Sequence, residues 1–337
     1  MVGGDGSSLV REHGPRFYVG VGVAGVKEEV VVEPGTSNSR TLPLVVTTKE
    51  GPDMDGVACC LAFTELLKAM GSPVVAVLEG RPDAEARFWL ERLGIETSAL
   101  PPAEFLGVVL VDISAIDGLP RFVDPAAVLE VIDHRSHGEP SHCFANAVVH
   151  VEMVGAAATI VFERFRQAGL VPSQESSWLL QAGIQSNTQC LRGPVTTPRD
   201  VEAIALLHAL HPLPDGMLQA QFAARRAEIL ADLDAAVQRE AKTFEHTDGR
   251  FVVSQLECHG ALELVPQIER LALGGRFMVN LVDPVTPTSQ LLVPDPLFRA
   301  WVEDRLGVAA PHGVMGAARG MLRKQIVARI MGNEEGG

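Results

Sequence analysis

Val131-Ile132-Asp133-His134-Arg135 is an apolar strand end that runs straight into an acid, an imidazole and a guanidinium. Two carboxylate sites share that setting upstream. Pro52-Asp53-Met54-Asp55-Gly56 follows the apolar run Leu42-Pro43-Leu44-Val45-Val46, and Asp112 closes Val108-Val109-Leu110-Val111. Three strand ends carrying Asp-x-Asp, Asp and Asp-His can converge on one edge of a parallel sheet. Ligands of open α/β sheets bind at that carboxyl edge.

Around these stretches strands and helices alternate. Residues 42–47 read as a strand, and 55–70 as a helix stopped by Gly71. A second strand spans 74–78, and a helix over 83–93 is stopped by Gly94. Strands at 107–112 and 128–133 and helical patterns at 156–167, 173–185 and 198–210 complete a series that predicts an α/β fold with a doubly wound parallel sheet. His211-Pro212-Leu213-Pro214-Asp215-Gly216 is marked as a linker by its prolines and glycine. One long amphipathic helix is expected from about 217 to 241. Segments at 250–256, 261–273, 276–282 and 290–293, and a basic helix around 322–330, form a smaller mixed α/β domain. The expected divisions are an extension at 1–40, a first domain at 41–210, a linker at 211–225 and a second domain at 226–332. Within the extension, 17–32 reads as a hairpin. Its Gly20-x-Gly22-x-x-Gly25 is not a dinucleotide fingerprint, because strand residues and no helix pattern follow it.

Composition narrows the function classes. An apolar fraction of 47 % over 337 residues is ample for two cores. A formal charge of -14 argues against nucleic-acid polymers or an anionic membrane as the partner, so an anionic substrate needs a local cationic patch or a metal. No apolar run approaches a membrane span, and no basic flank precedes an apolar segment at the start, which gives a cytoplasmic expectation. The five cysteines form no C-x-x-C pair; Cys59 and Cys60 read as small hydrophobes in a helix. The expected macromolecular partner is a second copy of the chain, in a homodimer.

Asp53 and Asp55 flank one residue at a strand-to-helix turn, where both can face a cation and where the helix dipole favours their charge. Oxygen donors suit Mg²⁺ and Mn²⁺, and one imidazole, His134, shifts the preference toward a transition metal such as Mn²⁺. Each group alone has a plainer reading: an N-cap for Asp-x-Asp, a capping acid for Asp112, a satisfied strand-end histidine for His134. At three strand ends together they favour a metal site.

The motif order Pro52-Asp53-x-Asp55, Leu110-Val111-Asp112, Ile132-Asp133-His134-Arg135 and Glu152-Met153-Val154-Gly155-Ala156-Ala157-Ala158-Thr159 resembles the DHH phosphoesterase superfamily. The Asp-His-Arg variant with His142-Cys143 is most similar to its Prune and exopolyphosphatase branch. Ala241-Lys242-Thr243-Phe244, residues 252–257 and Leu322-Arg323-Lys324-Gln325-Ile326-Val327 also resemble manganese-dependent inorganic pyrophosphatases. The resemblance spans about residues 42 to 331. It implies a two-metal site in the interdomain cleft, with Mn²⁺ (or Mg²⁺ or Co²⁺), that hydrolyses phosphoanhydride bonds of pyrophosphate, short polyphosphate or a nucleotide-derived ester. By the same resemblance Asp53 holds the first ion, Asp55 and His134 the second, and Asp112 bridges, while Asp133 orients the region. Arg135, Lys242, Arg323 and Lys324 hold substrate phosphates.

Two positions depart from that pattern. Lys49 stands where the first motif opens with histidine, and Asn187, in Ser186-Asn187-Thr188, where the family places an acid among the metal ligands. An ammonium cannot ligate a cation, and an amide oxygen is a weak neutral ligand. Together the changes add about the charge of one divalent ion. The expectation is a reduced centre, one ion instead of two, with Lys49 in the place of the first and Asp55, Asp112 and His134 keeping the other. The alternative is a catalytically weak phosphate- or nucleotide-binding regulator on the same fold. Arg199-Asp200 reads as an ordinary helix start, His208 and His211 as packing groups, and His312-Gly313 as loop.

Overall fold

The structure, a computed structural model, describes residues 42–134, 143–286, 288–307, 314–317 and 321–332. The extension with its expected hairpin, Arg135, His142 and His312 lie outside the described residues.

Strands β1 (Leu44–Thr47), β2 (Val74–Ala76), β3 (Gly107–Val111), β4 (Val128–Asp133) and β5 (Val148–Val151) form a sheet of order β2-β1-β3-β4-β5. Every pairing in it is parallel. Helices α1 (Met54–Ala69), α2 (Ala84–Leu93), α3 (Ala157–Gln167), α4 (Gln174–Asn187) and α5 (Pro198–Leu210) accompany it. The central β3 is buried at every residue and feeds two cores by strand alternation. Val109 and Val111 pack with the α1, α3 and α4 side chains, whereas Val108 and Leu110 pack with Val128, Val131 and Phe144 on the other face. The chain leaves β1 toward β2 on one side and β3 lies on the other, so the order reverses between β1 and β3. That switch point opens a crevice at the strands' carboxyl ends.

Helices α6 (Met217–Ala231) and α7 (Leu233–Arg239) lead into a mixed sheet of order β10-β9-β8-β7-β6. Its strands are β6 (Lys242–Phe244), β7 (Phe251–Glu257), β8 (Phe277–Asp283), β9 (Thr288–Leu292) and β10 (Val314–Ala317). Only β7 and β8 pair in parallel. Leu256, Val279 and Leu281 face the core with α7 and the short α8 (Val265–Ile268). Phe251, Val253 and Met278 face the core with α9 (Pro296–Leu306) and α10 (Arg323–Ile330).

Three local readings change. The single helix expected over 217–241 is broken at Asp232, whose backbone leaves helical values (φ -154, ψ 83) and whose carboxylate caps α7 at Ala235 N. The expected linker 211–225 runs into the first half of α6, where Gln221 and Phe222 are buried. The four-residue edge strand β5 and helix α9 were not foreseen. The Asp295-Pro296 start of α9 is a capped N-terminus with proline in the first turn, a readable signal.

Candidate metal centre

Each strand at the switch point delivers one group. β1 exits through Thr48 to Lys49, and the turn ends on Asp53, whose Oδ1 accepts from Gly56 N at 3.1 Å and caps α1. Asp55, in the first turn of α1, is fully buried, yet its carboxylate is well provided for. Oδ2 accepts from Ala157 N at 2.8 Å and Oδ1 from Ala158 N at 2.9 Å. These N–H groups open α3, which has no side-chain cap of its own, so Asp55 caps α3 from another helix. Gly56 keeps the crevice floor open: a Cβ there would lie 2.6 Å from Thr48 Oγ1 and 3.4 Å from Asp112 Oδ2.

Asp112 leaves β3 in the left-handed region (φ 57), which turns its carboxylate back toward the crevice. The next strand end supplies His134. Its Nδ1 lies 3.0 Å from the Val154 carbonyl, which only accepts, so Nδ1 carries a proton and Nε2 faces the carboxylates. Nε2 is 3.4 Å from Asp112 Oδ1 and 3.9 Å from Asp55 Oδ2. Asp133 fixes this corner, accepting from His134 N at 2.7 Å and from Ser114 Oγ at 2.5 Å. One ligand atom each from Asp55, Asp112 and His134 lies within 4.8 Å of the others. An imidazole nitrogen and two carboxylates are a suitable donor set for a first-row divalent ion, so these residues fit a metal.

Lys49 and Asn187 occupy the same crevice in other roles. Lys49 Nζ is 2.5 Å from Asp53 Oδ2 and 3.5 Å from Asp112 Oδ2. Asn187, the last residue of α4, donates from Nδ2 to Asp55 Oδ2 at 2.6 Å, with His134 Nε2 at 3.5 Å. A carboxylate only accepts, so the amide turns its nitrogen, not its oxygen, toward Asp55. Burial, then the Asp112 charge, pushes the Asp55 carboxyl up to about 7, against the opposing pull of His134.

The remaining expected residues lie on the second sheet. Lys242 opens β6 and Lys324 lies in the first turn of α10, both exposed; Arg323 donates from Nη1 to the Glu240 carbonyl at 2.6 Å. A chain of hydrogen bonds runs toward Arg323 from the turn that follows Asn187. Past Asn187, residues Gln189, Cys190 and Leu191 form a left-handed turn (φ 50, 57 and 62). Gln189 Nε2 donates to Glu257 Oε2 at 3.2 Å, Gln255 Nε2 donates to Glu257 Oε1 at 2.5 Å, and Gln255 Oε1 accepts from Arg323 N.

Sequence reading missed two supporting groups. Asp200 is fully buried and accepts from Gly155 N (2.9 Å), Thr159 Oγ1 (2.6 Å), Thr197 N (2.7 Å) and Thr197 Oγ1 (2.7 Å). It holds the α3 start that faces Asp55. A Cβ on Gly155 would sit 2.6 Å from Asp200 Oδ2, so glycine is required there. Its only sequence signal was the capping pattern Thr197-Pro198-Arg199-Asp200. The second group is Arg225 of α6, which donates to the Glu257 carbonyl at 2.9 Å and lies 3.5 Å from Asp83 Oδ2 and 3.8 Å from Glu240 Oε1. Beside it Gln221 donates to the buried Glu85, which Ser186 also contacts, each at 2.7 Å.

Burial, then Glu85, pushes the Asp83 carboxyl from 3.8 up to about 7, with Arg225 opposing. Between those values the folded chain holds a proton that the unfolded chain has released. The Asp83 contribution to stability is therefore fully present below about pH 4 and is lost as pH rises toward 7. Asp83→Asn keeps an N-cap acceptor and removes the titration. The variant should gain melting temperature relative to wild type as pH goes from about 5 to 8, measured by thermal denaturation without added metal. A difference that is flat in pH would refute the assignment.

Residues 43–184 match the DHH family, N-terminal domain. A probable manganese-dependent inorganic pyrophosphatase of Streptococcus mutans serotype c is 26 % identical over 271 residues, covering 74 % of this chain and 85 % of the relative. One from Streptococcus suis is 28 % identical over 264 residues, covering 72 % and 82 %. A solved structure from Methanococcus jannaschii, provisionally named a family II inorganic pyrophosphatase, superposes with a TM-score of 0.58 at 17 % identity. It covers 87 % of this chain and 100 % of that one, a likeness of fold. The ordered Asp-x-Asp, Asp and Asp-His strand ends all fall within residues 43–184, the part of the chain that matches the DHH family's N-terminal domain.

Proposed function

We propose that this chain is a metal-dependent hydrolase of phosphoanhydride bonds in small substrates: pyrophosphate, short polyphosphate or a nucleotide-derived ester. The observation that carries the reading is the convergence of Asp55, Asp112 and His134 at the switch point of the parallel sheet. The names of the streptococcal relatives point to Mn²⁺, with Mg²⁺ and Co²⁺ as related ions. When bound, such an ion neutralises phosphate charge and makes a coordinated water more acidic. Phosphoryl transfer rests largely on positioning and electrostatics, and the chain's own residues provide both. Lys49 brings a cation beside Asp112, Asp133 orients His134, and Arg323 and Lys324 offer phosphate-binding cations from the second sheet. By the resemblance Arg135, outside the described residues, is a further phosphate-binding cation.

Among the described residues no helix is long and apolar enough to cross a membrane. In this reading the protein acts in the cytoplasm on a small anion, away from nucleic-acid polymers. A regulator that binds phosphate without turning it over is the second reading, favoured by the Lys49 contacts with Asp53 and Asp112. Phosphate release from pyrophosphate, tripolyphosphate and a nucleotide ester, each with Mn²⁺, Mg²⁺ or Co²⁺, separates the two. Ion-dependent release that a chelator abolishes is expected. Substrate binding with no release under any ion would leave only the regulator.

A further inference from the structure

We infer that the centre holds a single divalent ion and that the Lys49 ammonium is its permanent second cation, a deepening that rests on the hydrolytic reading for its link to turnover. Asp112 divides its two oxygens between two cation positions. Oδ2 faces Lys49 Nζ at 3.5 Å, and Oδ1 faces His134 Nε2 at 3.4 Å. The His134 side has the donors of a metal site: Asp55, Asp112 and an imidazole whose Nδ1 is committed to the Val154 carbonyl.

The Lys49 side does not. Asp53 Oδ1 is engaged as the cap of α1, and Asp53 Oδ2 holds the ammonium at 2.5 Å. A metal ion there would have to displace a cation that cannot itself ligate, and it would lose the histidine that opens the family's first motif. Charge leads to the same count. Asp53, Asp55 and Asp112 bring three negative charges when ionised and Lys49 returns one positive charge. Asp133 is engaged by Ser114 Oγ and His134 N. Among the carboxylates that face the crevice, one divalent ion therefore balances the charge left by Lys49, whereas a second would sit beside the ammonium that already holds Asp53.

Asn187 belongs to the same adjustment. A carboxylate in its place, 2.6 Å from Asp55 Oδ2, would add a like charge that one ion and one ammonium could not balance. The amide instead donates to Asp55. Lys49 and Asn187 are therefore a matched pair: one supplies a charge, the other withholds one. The cation at Lys49 is covalent, so chelators and ion supply act on one position only.

The test counts ions. Full-length protein stripped of metal, loaded with Mn²⁺ and desalted should contain one Mn²⁺ per chain by elemental analysis. Its electron paramagnetic resonance spectrum should show the resolved hyperfine pattern of an isolated ion. Lys49→His, alone or with Asn187→Asp, should raise the count to two and give an exchange-coupled spectrum. Two ions or a coupled spectrum in the wild type would overturn the inference, as would no bound ion, or a folded Lys49→His/Asn187→Asp double variant that still holds one. If the variants fail to fold, the wild-type count decides. One bound ion with no phosphate release would sink the hydrolytic reading and still support the single-ion centre.

Discussion

Asp112→Asn is expected to reduce ion-dependent phosphate release by on the order of 10²-fold or more while leaving the melting temperature almost unchanged. Two facts about Asp112 produce this separation. The residue sits at φ 57, a conformation that asparagine adopts readily and alanine does not. Its two oxygens also face different partners, Lys49 and His134, so this one residue links both halves of the centre. Replacing the carboxylate with an amide keeps the shape and the backbone and removes the negative charge that the ion and the ammonium share. A loss of about 3 kcal/mol of charge stabilisation corresponds to on the order of 10²-fold in rate. Asp112→Ala adds a backbone penalty of about 1–2 kcal/mol for a left-handed alanine, so it should lose both activity and stability. Steady-state phosphate release and thermal denaturation on both variants separate the two effects. Release unchanged in Asp112→Asn would show that the chemistry lies elsewhere.

Asp200→Ala should destabilise the fold by about 3 kcal/mol, and Asp200→Asn by only about 1 kcal/mol. The carboxylate is fully buried and makes no ion pair among the described residues; four hydrogen-bond donors satisfy it. Alanine leaves the Gly155 and Thr197 N–H groups and two hydroxyls facing a small void, and each orphaned buried donor carries a desolvation penalty. Asparagine fares better for a geometric reason. Three of the donors converge on Oδ2, which an amide oxygen can replace, and only Thr159 Oγ1 faces the other position. A hydroxyl can rotate to accept from an amide nitrogen. Chemical denaturation of the two variants measures the difference. Because Asp200 holds the segment whose Ala157 and Ala158 N–H groups grip Asp55, Mn²⁺ affinity should fall in Asp200→Ala more than in Asp200→Asn. Equal stability of the two variants would refute this account.

The first domain could be read from the sequence because its signals are local and strong. Apolar strands ending in acids, and helices stopped at Gly71 and Gly94, identify parallel β–α units without any tertiary information. Asp55, Asp112 and His134, which the fold brings together, could be singled out for the same reason, since each ends or follows a strand. What escaped was what distance along the chain conceals. Asp200 looked like an ordinary first-turn acid, because nothing near it in sequence reveals that Gly155 and Thr159 are its partners. Gln189 and Arg225 carry no motif; their meaning comes from Glu257, Asp83 and Glu240, which folding brings beside them. The break at Asp232 was hidden by a helical pattern that continues on both sides. One side chain capping its own neighbour three residues on was enough to end the helix. β5 is four residues long and half exposed, too short for periodicity to register.

The distribution of the metal-centre donors over three separate strand ends has a consequence for assembly. A chelate made of neighbours in sequence can form on an unfolded chain and nucleate structure around itself. Asp55, Asp112 and His134 meet only after β1, β3 and β4 are paired in register and α1 has docked beneath α3. The unfolded chain thus has no comparable grip on a divalent ion, and affinity at this centre is carried by the folded state alone. At an ion concentration about 100 times the dissociation constant, binding of that kind adds about 2.7 kcal/mol to folding stability. On this assignment of ligands the ion would act as a lock applied to a finished sheet, not as the seed from which the sheet grows.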